Sequence, residues 1–475
     1  MTVAWRIPDD YGGMTGAMLR RSRGLAARGA DVVVVTFDDR PDYDEVRRRL
    51  EAGGALGGAT LRNVYEDFRL RGRRAGLALA PDAAAGAPDE VVTTSSGQVG
   101  RWREGTGLRR VEHRRADGTL AVVEEALGSV TGPRRVTSLD RDGRVTGQWP
   151  TLRDFRFAWL DEVIGADPAV VTVDSKTAAQ VMQHYSRPGV ALALMIHGNH
   201  LTAAGEVAPS RGDVFAHLDR WDAVVVLTER QRAAIEERFG AGDRLAVVHN
   251  AVEAPASVPA LPVDRMRGVV VSRVTPHKRI DHILRVVAEV RAQGVPVTLE
   301  LVGDGPARAK LGSLTRELGL EEAVDFAGFV PGGASRFAGG GWTMLASRSE
   351  GESLVLAEAM GAGCVPVAYD IDYGPAEAIR DGENGFLVPD GDRAAAAAAL
   401  VRLCRLPETE YAAMRQAARA FALTRTDETL LDAWTGIHDR ALAIRASRRA
   451  GSSQPSLVRR VLRRVVTRMP PAWRR

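Results

Sequence analysis

The chain has 475 residues, 45% of them hydrophobic and 26% charged; this is ordinary for a soluble globular protein but too long for one core, so two domains with an insertion are expected. No run of about 18 apolar residues is present, which excludes a spanning helix, and the start, Met1 to Ile7, lacks the apolar core and cleavage site of a secretory signal, so a cytoplasmic location is expected. The net charge of +4 belongs to the tail, where ten arginines from Arg445 onward, with no Lys, Asp or Glu among them, outweigh it. Cys364 and Cys404 lack metal-type spacing and are expected to be reduced and structural.

The chain opens as a strand, Val3 to Ile7, a glycine turn, Tyr11-Gly-Gly-Met-Thr15, a helix, Met18 to Arg28, and a second strand, Asp31 to Thr36. Short apolar runs bounded by Gly or Asp and separated by helical patterns mark buried parallel strands in βαβ units. After about residue 65 the rhythm breaks. Gly76 to Pro88 is rich in Ala, Gly and Pro, and Gly107 to Trp149 alternates polar with apolar around the turns at Asp117-Gly118 and Asp142-Gly143. These predict two hairpins of an antiparallel β insertion at about 66–150.

The α/β rhythm returns with helix Phe155 to Ile164, strand Ala169 to Val173, helix Ser175 to His184 and strand Ala191 to Ile196, which runs into His197-Gly-Asn-His200. Strands Ala223 to Leu227 and Leu245 to Val248 follow, then Ala251 to Pro262, whose Ala and Pro content reads as a linker. A second doubly wound unit is predicted from strands Gly268 to Ser272, Thr298 to Val302, Val324 to Ala327, Thr343 to Ala346, Val365 to Ala368 and Gly385 to Val388. The expected division is 1–255, 256–430 and a helix with a basic tail over 431–475. Ligands of such sheets bind beyond the carboxyl ends of the strands.

Two constellations sit at such ends. Arg273 and Lys278 follow the first strand of the second unit in Val271-Ser-Arg-Val-Thr-Pro-His-Lys278. Two cations in a loop are usually only solvated charges, but lysine occupies just three positions, 176, 278 and 310, so its place five residues after this Arg is informative. Glu350 lies in the loop after strand Thr343 to Ala346, and Glu358 lies on a helix that opens near Ser353. The amides of Ser353 and Leu354 then point out of a helix N-terminus, where an anion is favoured. A capping carboxylate and a solvated helix Glu would account for either glutamate alone, but not for both beside a Gly-rich entry and two cations. In the first unit, Gly12 and Gly13 allow close approach of a phosphate or sugar, or simply make a turn.

Glu350-x7-Glu358, Arg273-x4-Lys278, Val302-Gly-Asp-Gly-Pro306, Gly328-Phe-Val330 and Gly361-x-Gly-x-x-Pro366, in this order, resemble the second domain of glycosyltransferase family 4, of GT-B fold with two Rossmann-like domains. The resemblance implies retaining transfer from a nucleotide sugar, without a metal ion or other cofactor. Arg273 and Lys278 would contact the diphosphate, Glu350 the sugar hydroxyls and Glu358 the ribose, with Gly13, Gly303, Gly328, Val330, Ser353 and Leu354 around the donor. His197 would lie near the reacting sugar, and Gly12, Thr15 and His200 are candidates on the acceptor side. The usual Glu-Gly-Phe-Gly is here Glu350-Gly-Glu-Ser353, a departure from the family pattern.

The β insertion and Asp370-Ile-Asp-Tyr-Gly-Pro-Ala-Glu377 resemble a subgroup of wall teichoic acid α-N-acetylglucosaminyltransferases and serine-rich adhesin glycosyltransferases. This implies UDP-GlcNAc or UDP-glucose as donor, a polyol-phosphate polymer of the cell envelope or a protein serine as acceptor, and self-association through the insertion; no nucleic-acid partner is expected. Competing readings are a GT-B epimerase or phosphorylase and a non-catalytic partner of another transferase. Finally, Leu457, Val458, Val461, Leu462, Val465 and Val466 share one face of a predicted helix whose other face is arginine, which suits an anionic membrane surface, a disordered tail or a polyanionic acceptor.

Overall fold

The computed structural model describes residues 1–72, 77–78, 86–202, 204–256 and 264–453, so the basic amphipathic tail after Ser453 lies outside the described residues. The chain forms two compact units, one of Met1–Met195, Ala216–Val224 and the segment from Thr435 onward, the other of Ile196–Phe215 and Val225–Trp434. The second unit thus takes in chain on both sides of residue 255.

Val3, Val34, Val35, Val171, Val173 and the continuous apolar run Val190–Met195 are buried, as strands covered on both faces must be. They belong to a seven-stranded sheet in the order Leu245–Val247, Ala223–Val226, Val190–Met195, Ala169–Val173, Thr2–Ala4, Val33–Thr36, Thr60–Asn63. The pairings around Thr2–Ala4 are parallel. Beneath them, Arg21 donates two hydrogen bonds to Asp174, at 3.0 and 2.6 Å, with both side chains buried.

The insertion is larger than two hairpins. It is a seven-stranded antiparallel meander in which Glu90–Thr94, Gly97–Glu104, Gly107–Arg115, Leu120–Ala126, Arg134–Leu139, Arg144–Trp149 and Leu77–Ala78 pair in turn. The first hairpin turns at Ser95-Ser96, which carries no Asp-Gly signal and so escapes the alternation argument. Glu90–Thr94 is an edge strand with Val91 and Val92 exposed.

A polar and aromatic joint fixes this sheet to helix Val64–Leu70. Tyr65 stacks on His113 with centroids 4.0 Å apart and donates its hydroxyl to Glu124 at 2.6 Å, while Phe68 packs on Trp149 and Phe155. Burial pushes the Glu124 carboxyl up, but hydrogen bonds from His113 and Tyr65 and the charge of Arg134 outweigh it and bring it to about 2.

The second unit holds a six-stranded parallel sheet in the order Val324–Gly328, Thr298–Val302, Arg267–Val271, Trp342–Leu345, Val365–Asp370, Phe386–Pro389. Helix Ile280–Ala292 shows why it docks there: Ile280, Ile283, Leu284, Val287 and Val290 recur at helical spacing and are all buried in one core with Val270, Leu299 and Leu301. Each such aliphatic side chain contributes about 1.5–3 kcal/mol on burial. Cys364 and Cys404 are free and buried, as the sequence led one to expect. Helix Asp427–Ser453 is the last element of the described residues.

Candidate active site

In the six-stranded sheet the chain builds outward from Arg267–Val271 in one direction and then resumes on its other side at Trp342–Leu345. The crevice beyond the carboxyl ends of these two strands is the topological switch point. A cavity of about 20 Å³ lies there, lined by Ser272, Lys278, Thr343, Ser347 and Val355 among others.

The loop after Arg267–Val271 carries the cations. Ser272 N donates to Val302 O and Val274 N to Asp304 O, both at 2.9 Å, so this loop lies along the Gly303-Asp-Gly305 turn. The approach is so close that a Cβ on Gly303, whose φ is +133°, would stand 1.9 Å from Ser272 O. No side chain fits there. Gly303 N also donates to Gly328 O at 2.7 Å, which brings the turn that leads to Val330 to the same edge. Arg273 is exposed in this loop, and Lys278 closes the 3-10 turn Pro276–Lys278.

The loop after Trp342–Leu345 is held from three directions. Lys278 Nζ donates to Glu350 Oε1 at 2.6 Å, with the two side chains only 18% and 16% exposed. They are therefore largely withdrawn from water yet still open to a ligand. Arg348 N donates to His277 O, and the His277 ring bonds Ser349 O at 2.7 Å. Buried Arg279 donates to the carbonyls of Ala346 and Ser347 at 2.5 and 2.6 Å and pairs with Asp390. On the far side, Glu350 N donates to Asp372 O at 2.9 Å.

The loop ends at Ser353, which caps helix Leu354–Gly361 with φ of +68°. A residue with a Cβ pays on the order of 1 kcal/mol in this left-handed conformation. Glu352, where the family pattern has Phe, supports the turn: its carboxylate accepts from His249 Nδ1 at 2.9 Å and from Asn250 N and Nδ2 at 2.8 Å each. Glu358 is half-buried on the helix that follows.

His197 and the glutamate loop come together. A Cβ on Gly351 would stand 2.1 Å from His197 O, so the two backbones touch where only glycine fits. His200 has no exposed surface and stacks between Phe215, at 5.1 Å, and Tyr373, at 6.0 Å. Burial, with Arg211 and Arg238 near, lowers its pKa to about 4, so it is neutral at pH 7. In the other unit, Gly12 caps helix Gly13–Ala27; both glycines are exposed, Thr15 is buried, and a Cβ on Gly12 would meet nothing within 4 Å.

Arg279, His277, Glu352 and Asp372 were not visible as site residues in the sequence. Three act through, or on, backbone atoms of a loop whose path only the fold fixes, and Glu352 stood out only as a departure from a pattern.

Residues 258–421 match the family model described as Glycosyl transferases group 1. The chain is 39% identical over 185 residues to an exopolysaccharide phosphotransferase of Streptomyces coelicolor, which is 38% of this chain and 19% of that protein. It is 26% identical over 233 residues to the GtfA subunit of a UDP-N-acetylglucosamine–peptide N-acetylglucosaminyltransferase of Streptococcus gordonii, 46% of this chain and 45% of the relative. It is 27% identical over 197 residues to the poly(ribitol-phosphate) alpha-N-acetylglucosaminyltransferase of Staphylococcus aureus, 41% and 40% of the two chains.

The chain thus spans less than half the length of these curated relatives. A crystal structure of a TarM mutant of S. aureus, in complex with fondaparinux, alpha-GlcNAc-glycerol and UDP, superposes with a TM-score of 0.73 at 19% identity, covering 92% of this chain and 99% of that one. The fold is GT-B.

The contact between the glutamate loop and His197 leaves no room for a side chain at Gly351. Gly351→Ala should force one backbone away from the other and lower stability by about 1–3 kcal/mol. Chemical denaturation checks this: an unchanged midpoint would show that the two segments are not in contact.

Proposed function

We propose that the chain is a retaining glycosyltransferase that moves a hexose or N-acetylhexosamine from a nucleotide-diphosphate sugar to a cell-envelope polymer. The observation that carries the reading is the Lys278–Glu350 pair at the switch point, with Arg273 on the same loop as Lys278 and the Ser353–Leu354 helix start following Glu350. Two cations and a helix N-terminus are what a departing diphosphate needs, because negative charge builds on it as the sugar leaves.

In the free protein Glu350 neutralises Lys278. A bound diphosphate takes over Lys278 and releases the Glu350 carboxylate to accept hydrogen bonds from the sugar hydroxyls. The bond from the anomeric carbon to the diphosphate then breaks, the acceptor hydroxyl forms the new bond on the same face, and its proton passes to the leaving phosphate oxygen. Glu358, one and a half turns into the helix, is assigned to the ribose. The two cations supply the charge compensation, so no metal is assigned and turnover is expected to persist in chelator.

The donor assigned is UDP-GlcNAc or UDP-glucose and the acceptor a polyol-phosphate polymer. The support is the names of the relatives, one acting on poly(ribitol-phosphate) and another on peptide; the peptide serine is the second acceptor to try. The basic tail is assigned to an anionic membrane surface, where each basic residue contributes about 1 kcal/mol, screened by salt.

Arg273→Ala, Lys278→Ala, Glu350→Ala and Glu358→Ala should each lower kcat/KM by about a hundredfold or more, equivalent to about 2.7 kcal/mol. Release of UDP from a labelled UDP-GlcNAc or UDP-glucose measures it, and near-wild-type turnover in both the Lys278 and Glu350 variants rejects the site. Truncation after Arg445 should abolish salt-sensitive binding to phosphatidylglycerol vesicles while leaving hydrolysis of the free UDP-sugar intact. Equal vesicle binding by both forms removes the membrane assignment.

A further inference from the structure

The segment from Asp370 to Glu377 is used by nothing in the mechanism above except for one carbonyl, yet it is tied to the site at several points. Asp372 O accepts from Glu350 N at 2.9 Å. Gly374, with φ of +104°, lies so near the next turn that a Cβ there would stand 2.4 Å from Glu352 O. At its end, the Glu377 carboxylate accepts from the backbone N–H groups of Glu229 at 3.0 Å and Arg230 at 2.8 Å, the first two residues of helix Glu229–Phe239.

Those amides have no partner within their own helix, and a carboxylate at this end is favoured by the helix dipole. A cap for stability alone is normally local, and this helix already has one, since Thr228 accepts from Gln231 N at 3.2 Å. Glu377 is a second cap brought in from 148 residues away.

The helix it grips holds the other catalytic candidate. Gln231, fully buried, donates from Nε2 to Gly198 O at 3.0 Å, in the residue after His197. His197 in turn has its carbonyl against Gly351, next to Glu350. The ties therefore close a ring: Glu350 to Asp372, along the segment to Glu377, into the helix start, through Gln231 to Gly198, and from His197 back to the glutamate loop.

We propose that Glu377 is a positioning residue that fixes His197 relative to Glu350 through helix Glu229–Phe239. The hydrogen bonds of its carboxylate go to the start of helix Glu229–Phe239, so its effect falls on the placement of His197 at the reacting sugar and not on the hold on the diphosphate. This assignment rests on the glycosyltransferase reading for its consequence in turnover, though not for its geometry.

Glu377→Ala and the milder Glu377→Gln are compared with wild type, His197→Ala and the double variant Glu377→Ala/His197→Ala in the full chain. Glu377→Ala should lower kcat about tenfold, a loss of the size that small misplacements cause, while leaving the calorimetric Kd for UDP within about twofold. The double variant should be no slower than His197→Ala alone, because residues that act through one another are non-additive. Glu377→Gln, which keeps a single acceptor oxygen, should fall between wild type and Glu377→Ala.

Amide hydrogen exchange, which does not depend on turnover, should quicken at residues 197–200 in Glu377→Ala. Wild-type kcat in Glu377→Ala, an equal loss of UDP affinity, multiplicative loss in the double variant or unchanged exchange at 197–200 overturns the proposal. Inactivity of the wild type toward every donor refutes the glycosyltransferase reading instead, and the exchange result then decides the positional claim alone.

Discussion

One ion pair organises the second unit. Lys278 and Glu350 come from loops after two neighbouring strands that the chain lays down 70 residues apart, and their contact joins those loops across the switch point of the sheet. Removing one partner would leave a largely desolvated charge without its counter-ion, which costs far more than an exposed pair is worth. Most other ties in the site serve this one: Arg279 on two carbonyls before Glu350, His277 on Ser349, Asp372 on Glu350 itself. The loop is placed before any ligand arrives, and preorganisation of this kind lowers the cost of binding and of reaction.

That placement has local costs. Arg279 and Ser353 both hold positive φ without being glycine, at +46° and +68°, and they flank the two ends of the paired loops. Strain of this sort persists only where surrounding contacts over-determine the backbone. Around Arg279 the contacts are the carbonyls of Ala346 and Ser347; around Ser353 they are the grip of Glu352 on His249 and Asn250 and the close packing of Gly351 and Gly374. The departure of Glu352-Ser353 from the family pattern is thus an exchange of a permissive glycine for a residue held by its neighbours.

The parallel strands were legible because their apolar runs have no reason to exist except burial on both faces: Ala169–Val173 and Thr298–Val302 stand where expected to the residue. Lys278 and Glu350 were legible because they follow such strands. The insertion was legible only in part, since Asp-Gly marks a turn by backbone preference but Ser95-Ser96 does not. What the sequence could not show is which carbonyl a side chain reaches. Glu377 closes a motif in the sequence, but only the fold puts it at the start of a helix 148 residues earlier.

The central step is the exchange by Lys278 of the Glu350 carboxylate for a diphosphate. A crystal structure of the chain with UDP measures this directly. Diphosphate oxygens are expected within hydrogen-bond distance of Arg273, Lys278 Nζ and the Ser353–Leu354 amides, with the Lys278–Glu350 contact lengthened from 2.6 Å. A diphosphate bound elsewhere, with that contact intact, would contradict it.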